Sequence, residues 1–221
     1  SITLLEESLC KWFAMKIGFN DSSGGIAASG GTLSNLNALI AARNNAGLGS
    51  NPNSVLLVSE DAHSSFIKCM RIMGLNETNL VRIKTDNKGC MDIMNLRKTL
   101  DKCSIKNKKI FAIVATLGTT VRGAIDPIKE ISTICKERNI WLHIDGSIGG
   151  IFAITSIPIE GLNNVNQANS ITINPQKIIG ITKTSSLLLV SDMSTLENTF
   201  STGLPYISSK ENTINRGELG I

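Results

Sequence analysis

Lys177 follows the run Ser170-Ile-Thr-Ile-Asn-Pro-Gln and precedes Ile178-Ile-Gly-Ile. A lone lysine is ordinarily a surface charge. Set between a strand-like run and an apolar segment, this one is predicted to be desolvated, which lowers an ammonium pKa and frees the amine as a nucleophile towards an aldehyde. Asp145 ends a second run, Ile140-Trp-Leu-His-Ile, and is followed by Gly146-Ser-Ile-Gly-Gly. A carboxylate at a buried strand end needs a partner, and the small residues leave room for a flat group; capping a turn explains Asp145 alone equally well. A third piece, Ser29-Gly-Gly-Thr-Leu-Ser-Asn35, runs straight into a helix. Glycines admit close backbone approach and a helix N-terminus offers unpaired amides, so this is a candidate phosphate cradle. It lacks the Walker Lys-Ser/Thr ending and the dinucleotide glycine spacing. His63, in Ser59-Glu-Asp-Ala-His, has the shape to stack on a planar ring, and Leu117-Gly-Thr-Thr120 offers hydroxyls in a turn. Taken singly, either is compatible with an ordinary cap or loop.

Each of these groups stands just past an apolar run. The runs at 55–59, 111–116, 140–144, 170–173 and 186–191 predict strands. Helices are predicted over 4–17, with Leu5, Leu9, Trp12 and Phe13 on one face, over 33–45, and over 127–138. For the last, Asp126 is the expected N-cap and Pro127 lies in the first turn. The alternation implies an α/β fold with a mainly parallel sheet flanked by helices. Residues 111–115 are continuously apolar, as for an interior strand covered on both faces. In such sheets ligands bind beyond the carboxyl ends of the strands, where the candidate residues cluster.

Composition narrows the function classes. The apolar content of 42% supplies an ordinary core, and the longest apolar runs are strand-sized, far short of a membrane span. The net charge of +4 is spread out, apart from Lys106, Lys108 and Lys109, and with only 4% aromatic residues, stacking platforms for nucleic acid are scarce. Five widely spaced cysteines without a CxxC pair fit reduced thiols in a cytoplasm-like compartment. Neither His63 nor His143 has cysteines at zinc-ligand spacing, so no metal is expected. No N-terminal stretch reads as a secretion signal.

Five segments together carry a family likeness: SGGTLSNLNALIAAR from Ser29, SEDAHSSFIKCMR from Ser59, ATLGTTVRGAIDPI from Ala115, HIDGSIGG from His143 and NSITINPQKIIGITKTSSLLLV from Asn169. In order and interval they resemble the group II pyridoxal-phosphate-dependent amino-acid decarboxylases, which include the glutamate, aromatic amino-acid and diaminobutyrate enzymes. The resemblance implies the large domain of the fold-type I transferase architecture over residues 1–221, truncated, with the C-terminal small domain and part of the N-terminal region absent. It implies Lys177 as the Schiff-base lysine, Asp145 as partner of the pyridine nitrogen and His63 as the stacking residue. Gly31, Thr32 and Ser34 would lie near the phosphate. Thr119 and His143 would help to fix the ring and Asp145, and Ser147, Asn174 and Gln176 complete the implied cofactor site. Tyr206, in the segment Gly203-Leu-Pro-Tyr-Ile-Ser, falls where the family carries a catalytic tyrosine. Departures are Gln176 before the lysine, Leu33 in the glycine-rich segment and Gly146-Ser-Ile after the aspartate, none of which removes an essential group.

By that resemblance the expected reaction is loss of carbon dioxide from an L-amino acid, with pyridoxal 5'-phosphate as cofactor and a homodimer as the full-length state. Transamination or desulfuration on the same lysine and aspartate pair is the alternative reaction. A truncated, non-catalytic cofactor-binding module is the alternative class. Arg122 and Arg216 do not settle which amino acid is the substrate.

Overall fold

The computed structural model describes residues 1–183, 185–202 and 218–221. In chain order the elements are α1 (Ile2–Ile17), β1 (Gly24–Ala28), α2 (Gly31–Asn45), β2 (Ser54–Ser59), α3 (Ser65–Ile72), β3 (Leu80–Ile83), α4 (Ile93–Ile105), β4 (Lys109–Thr116), α5 (Ile128–Arg138), β5 (Trp141–Gly146), β6 (Ser170–Ile173), α6 (Pro175–Ile179), β7 (Ser186–Val190) and α7 (Ser194–Phe200). The strands form one seven-stranded sheet ordered β1-β7-β6-β5-β4-β2-β3. The pairs from β3 through β6 are parallel, and β7 runs antiparallel to both β6 and β1.

Successive side chains on a strand point to opposite faces, so an apolar run feeds two cores. Ile113 and Ala115 of β4, with Leu142, Ile144, Ile171 and Ile173, pack against Phe13 of α1, Leu96 and Leu100 of α4, and Ile131 and Ile134 of α5. Ala112 and Val114, with Leu56 and Val58, face Leu36 and Leu39 of α2 and Phe66 and Met70 of α3. The far side of α2 places Ala38 and Ala41 against Ile26, Leu188 and Val190. Alanines on that face bring α2 close to the strands, which is how its first turn reaches the carboxyl edge of the sheet.

Two local expectations are overturned. On α1 the stripe Cys10, Phe13, Ala14 and Ile17 is buried, whereas Leu5, Leu9 and Trp12 are 69%, 44% and 48% exposed. The helix carries two apolar stripes, and the sheet takes only the one containing Phe13. Asp126 does not cap α5, whose N-cap position is Pro127. Its buried carboxylate accepts instead from the Met91 amide at 2.7 Å and the Thr116 amide at 2.8 Å, tying the segment before α4 to the end of β4. Burial pushes this carboxyl up to about 6 against those two donors.

All five cysteines are free. Among the described residues no helix is long and apolar enough to cross a membrane. No group of three or more His, Cys, Asp or Glu that could hold a metal occurs among them.

Candidate active site

A cleft of about 280 Å³ opens at the carboxyl ends of the parallel strands, close to the lower bound of roughly 300 Å³ for small-ligand sites. Its floor is Asp145, on the last turn of the pleat of β5, with Thr116 from the neighbouring β4. Gly31, Thr32 and Asn35 form the wall where α2 begins; His63 and Ser65 enter from the segment after β2, and Gly118, Thr119 and Thr120 from the segment after β4. Asn174, Gln176 and Lys177 come from the end of β6 and α6, and Ser147 and Ile148 complete the lining.

Asp145 is 5% exposed. Its Oδ1 accepts from the Ser147 amide at 3.2 Å and its Oδ2 from Asn35 Nδ2 at 3.3 Å. His143, two residues earlier on the same face of β5, is fully buried and does not reach the cleft. Its Nδ1 lies 2.8 Å from Ser170 Oγ and its Nε2 3.1 Å from Asn35 Oδ1. Burial pushes the imidazole down to about 4, against the opposing pull of Asp145.

Thr119 is buried, and its Oγ1 accepts from the Ala124 amide at 3.1 Å, closing the turn that begins at Gly118, whose φ of +86° lies in the left-handed region. His63 is exposed at the cleft, with Nδ1 accepting from the Ser65 amide at 3.2 Å. Gln176 Oε1 accepts from Ser185 Oγ at 3.3 Å. Thus Gly31, Thr32, His63, Thr119, Asp145, Ser147, Asn174, Gln176 and Lys177 are gathered around one cavity.

Other expected residues stand elsewhere. Ser34 turns away from the cleft and accepts from Thr172 Oγ1 at 3.0 Å within the core, because it is on the sheet-facing side of α2. Lys177 lines the cleft but is exposed, and Ile178, Ile179 and Ile181 are 44%, 56% and 47% exposed. The predicted desolvation therefore does not occur within this chain, since the short α6 turns these isoleucines outward. Tyr206 and Arg216 lie outside the described residues. Arg122 pairs with Asp61 at 3.5 Å and is not among the residues that line the cleft. Asn35 was missed by sequence reasoning, although the signal was present: four residues after Gly31, it shares that helical face, where a buried polar side chain requires partners.

The cleft combines an accessible amine, a buried carboxylate with both oxygens engaged, and a helix start opened by glycine. Comparison with known proteins gives this arrangement a context. The pyridoxal-dependent decarboxylase conserved domain matches residues 1–217. The aromatic-L-amino-acid decarboxylase of Bacillus atrophaeus is 30% identical over 98% of this chain and 46% of its own length. An L-aspartate decarboxylase of Metarhizium robertsii is 31% identical over 94% of this chain and 43% of its own. Among solved structures, mouse CSAD superposes with a TM-score of 0.87 at 27% identity, covering 98% of this chain and 46% of that one. The chain thus spans a little under half the length of these relatives. With the chain matched almost from end to end by the conserved domain and the same fold in a solved relative, the chain belongs to the pyridoxal-dependent decarboxylase family.

Proposed function

We propose that the protein catalyses the pyridoxal-phosphate-dependent decarboxylation of an L-amino acid to the amine and carbon dioxide. The observation that carries this reading is the convergence of Lys177 and Asp145 on one cleft that also receives the glycine-opened start of α2. The lining suits the cofactor. A Cβ at Gly31 would come within 2.6 Å of Asn174 Nδ2 and 2.9 Å of Ser147 Oγ, so glycine keeps the cradle open. Asn174 Oδ1, Thr116 Oγ1 and Ser65 Oγ are buried without a hydrogen-bond partner. Such groups cost about 1–3 kcal/mol each unless something binds them. The hydroxyls can donate to a ligand's oxygens, and turning the Asn174 amide over would present its NH2 to a phosphate.

In this reading Lys177 Nζ would be the amine that holds the cofactor. Asp145, an acceptor when ionised, keeps a proton on the pyridine nitrogen. His63 would lie against the ring and Thr119 beside it, while Gly31, Thr32, Ser147, Asn174 and Gln176 would hold the phosphate. Bound pyridoxal phosphate supplies an electron sink for the pair left on the α-carbon as carbon dioxide departs. Tyr206 is proposed as the donor of the proton that the α-carbon then takes. The protein's contribution is to orient the scissile carboxylate and keep complementary charge beside the ring.

We place the working form in the cytoplasm as a homodimer. The free thiols fit a reducing compartment. The exposed isoleucines beside Lys177 would gain from a second subunit that excludes water there. The test is a panel of carboxyl-labelled L-amino acids, each with and without an added keto acid, with the cofactor-loaded protein. Labelled carbon dioxide with stoichiometric amine is expected. Consumption of a keto acid without gas release would replace decarboxylation by transamination, and no turnover of either kind would overturn the enzyme reading.

A further inference from the structure

Asp145 presents one side to the cleft, and behind it runs a file of buried polar groups. Trp141 Nε1 donates to Ser170 Oγ at 2.8 Å, and Ser170 Oγ lies 2.8 Å from His143 Nδ1. His143 Nε2 lies 3.1 Å from Asn35 Oδ1, and Asn35 Nδ2 donates to Asp145 Oδ2 at 3.3 Å. Every member is at most 5% exposed. Three of the side chains alternate along β5 or oppose it on β6, while the fourth enters from α2, so sheet and helix both contribute.

The carboxylate end, together with a neutral imidazole, sets the direction of the file. An indole N–H can only donate, and an ionised carboxylate can only accept. Asn35 must therefore turn its NH2 to Asp145 and its carbonyl oxygen to His143, which requires a proton on Nε2. A neutral imidazole then carries a bare Nδ1, which accepts from the Ser170 hydroxyl, and that hydroxyl oxygen in turn accepts from Trp141. Turning the Asn35 amide over would set its carbonyl oxygen against the carboxylate and its NH2 against the Nε2–H, a mismatch costing about 1–3 kcal/mol or more at these buried positions. The lowered basicity of buried His143 agrees with the neutral form.

We infer that Trp141, Ser170, His143 and Asn35 form a one-way hydrogen-bond relay that holds the Asp145 carboxylate aimed at the cleft, with Asn35 its terminal donor. The relay's task rests on the decarboxylase reading, in which Asp145 faces a pyridine nitrogen. These four are positioning residues. Asn35 can neither take a proton from Asp145 nor give one up, so it insulates the carboxylate from the only imidazole behind it while stabilising its charge. Asp145 thereby remains the proton's counter-charge at the ring.

The test uses nitrogen NMR on the full chain, which has two histidines, His63 being assigned by its loss in His63→Gln. In the protein without cofactor at neutral pH, His143 is expected as the neutral Nε2–H tautomer. With cofactor labelled at the ring nitrogen, the wild type should show a protonated nitrogen. Asn35→Leu should move that signal towards the unprotonated position and weaken cofactor binding by about 10- to 100-fold, the worth of a hydrogen bond to a charged group. An Nδ1–H tautomer or an imidazolium in the wild type, or an unchanged ring-nitrogen signal in a folded Asn35→Leu, overturns the relay. The wild-type tautomer decides the matter even if that variant fails to fold. A wild type that binds no pyridoxal phosphate sinks the activity and the relay's task together, whereas normal binding with the wrong tautomer sinks the relay alone.

Discussion

Asp145 depends on its surroundings more than on its own charge. Each of its oxygens has one donor, from the Ser147 amide and Asn35 Nδ2, so the carboxylate is held in one orientation at the cleft. Replacing it by asparagine keeps the shape and removes the charge. Asp145→Asn is predicted to lower kcat on the order of 100-fold or more, while urea unfolding changes little; equal kcat in the variant would remove Asp145 from the mechanism. At this scale the sequence was legible in location: Lys177 and Asp145, both expected just beyond strand-like runs, line one cleft. Ser34 and Asn35 show where it was not. Adjacent on α2, they differ by about 100° around the helix, which sends Ser34 into the core against Thr172 and Asn35 to the cleft. Only the helix phase relative to the sheet decides between them, and the glycine-rich segment alone does not fix that phase.

Among the elements, α2 links the core to the chemistry. Leu39 is fully buried in the layer between α2 and the sheet, so Leu39→Ala is predicted to cost about 2–5 kcal/mol in urea unfolding. Gly31→Ala probes the other end of the helix. Its new methyl would press on the side-chain ends of Asn174 and Ser147, which can yield, so stability should hold while cofactor affinity falls about tenfold. Two buried groups on β5 and beside α5 oppose each other in acid. As pH falls from 6.5, unfolded His143 takes a proton that the folded residue refuses until about 4, so folding loses stability over that window. Folded Asp126 takes a proton near 6, whereas the unfolded carboxylate waits until 3.8, so folding gains stability there. Asp126→Asn removes the gain. Its stability should fall more steeply than the wild type's between about pH 7 and about pH 4.5, by on the order of 1–3 kcal/mol; parallel profiles would show that Asp126 titrates normally. The strands with strong β-formers were legible to within two residues, whereas β1 and β3 were not. Gly24-Gly-Ile-Ala-Ala has little strand propensity, and Leu80-Val-Arg-Ile is a four-residue edge strand paired on one side only.

The molecule as a whole is a sheet whose carboxyl edge carries the cleft, with unburied apolar surface along α1 and beside Lys177. On α1 that surface misled the sequence reading, because Leu5, Leu9 and Trp12 repeat as regularly as the stripe that packs; periodicity identifies an amphipathic face but not what covers it. The isoleucines beside Lys177 mark where the proposed homodimer would close the site and exclude water from the lysine. Sedimentation of the cofactor-loaded protein should therefore give a dimer, and Ile179→Glu should shift it towards monomer and weaken activity. The central claim is that Lys177 holds the cofactor. Borohydride reduction of the protein with pyridoxal phosphate, followed by peptide mapping, tests it directly. A single reduced adduct on Lys177 and none in Lys177→Ala is the expected result; labelling spread over surface lysines, or unchanged in that variant, would show that Lys177 does not hold the cofactor.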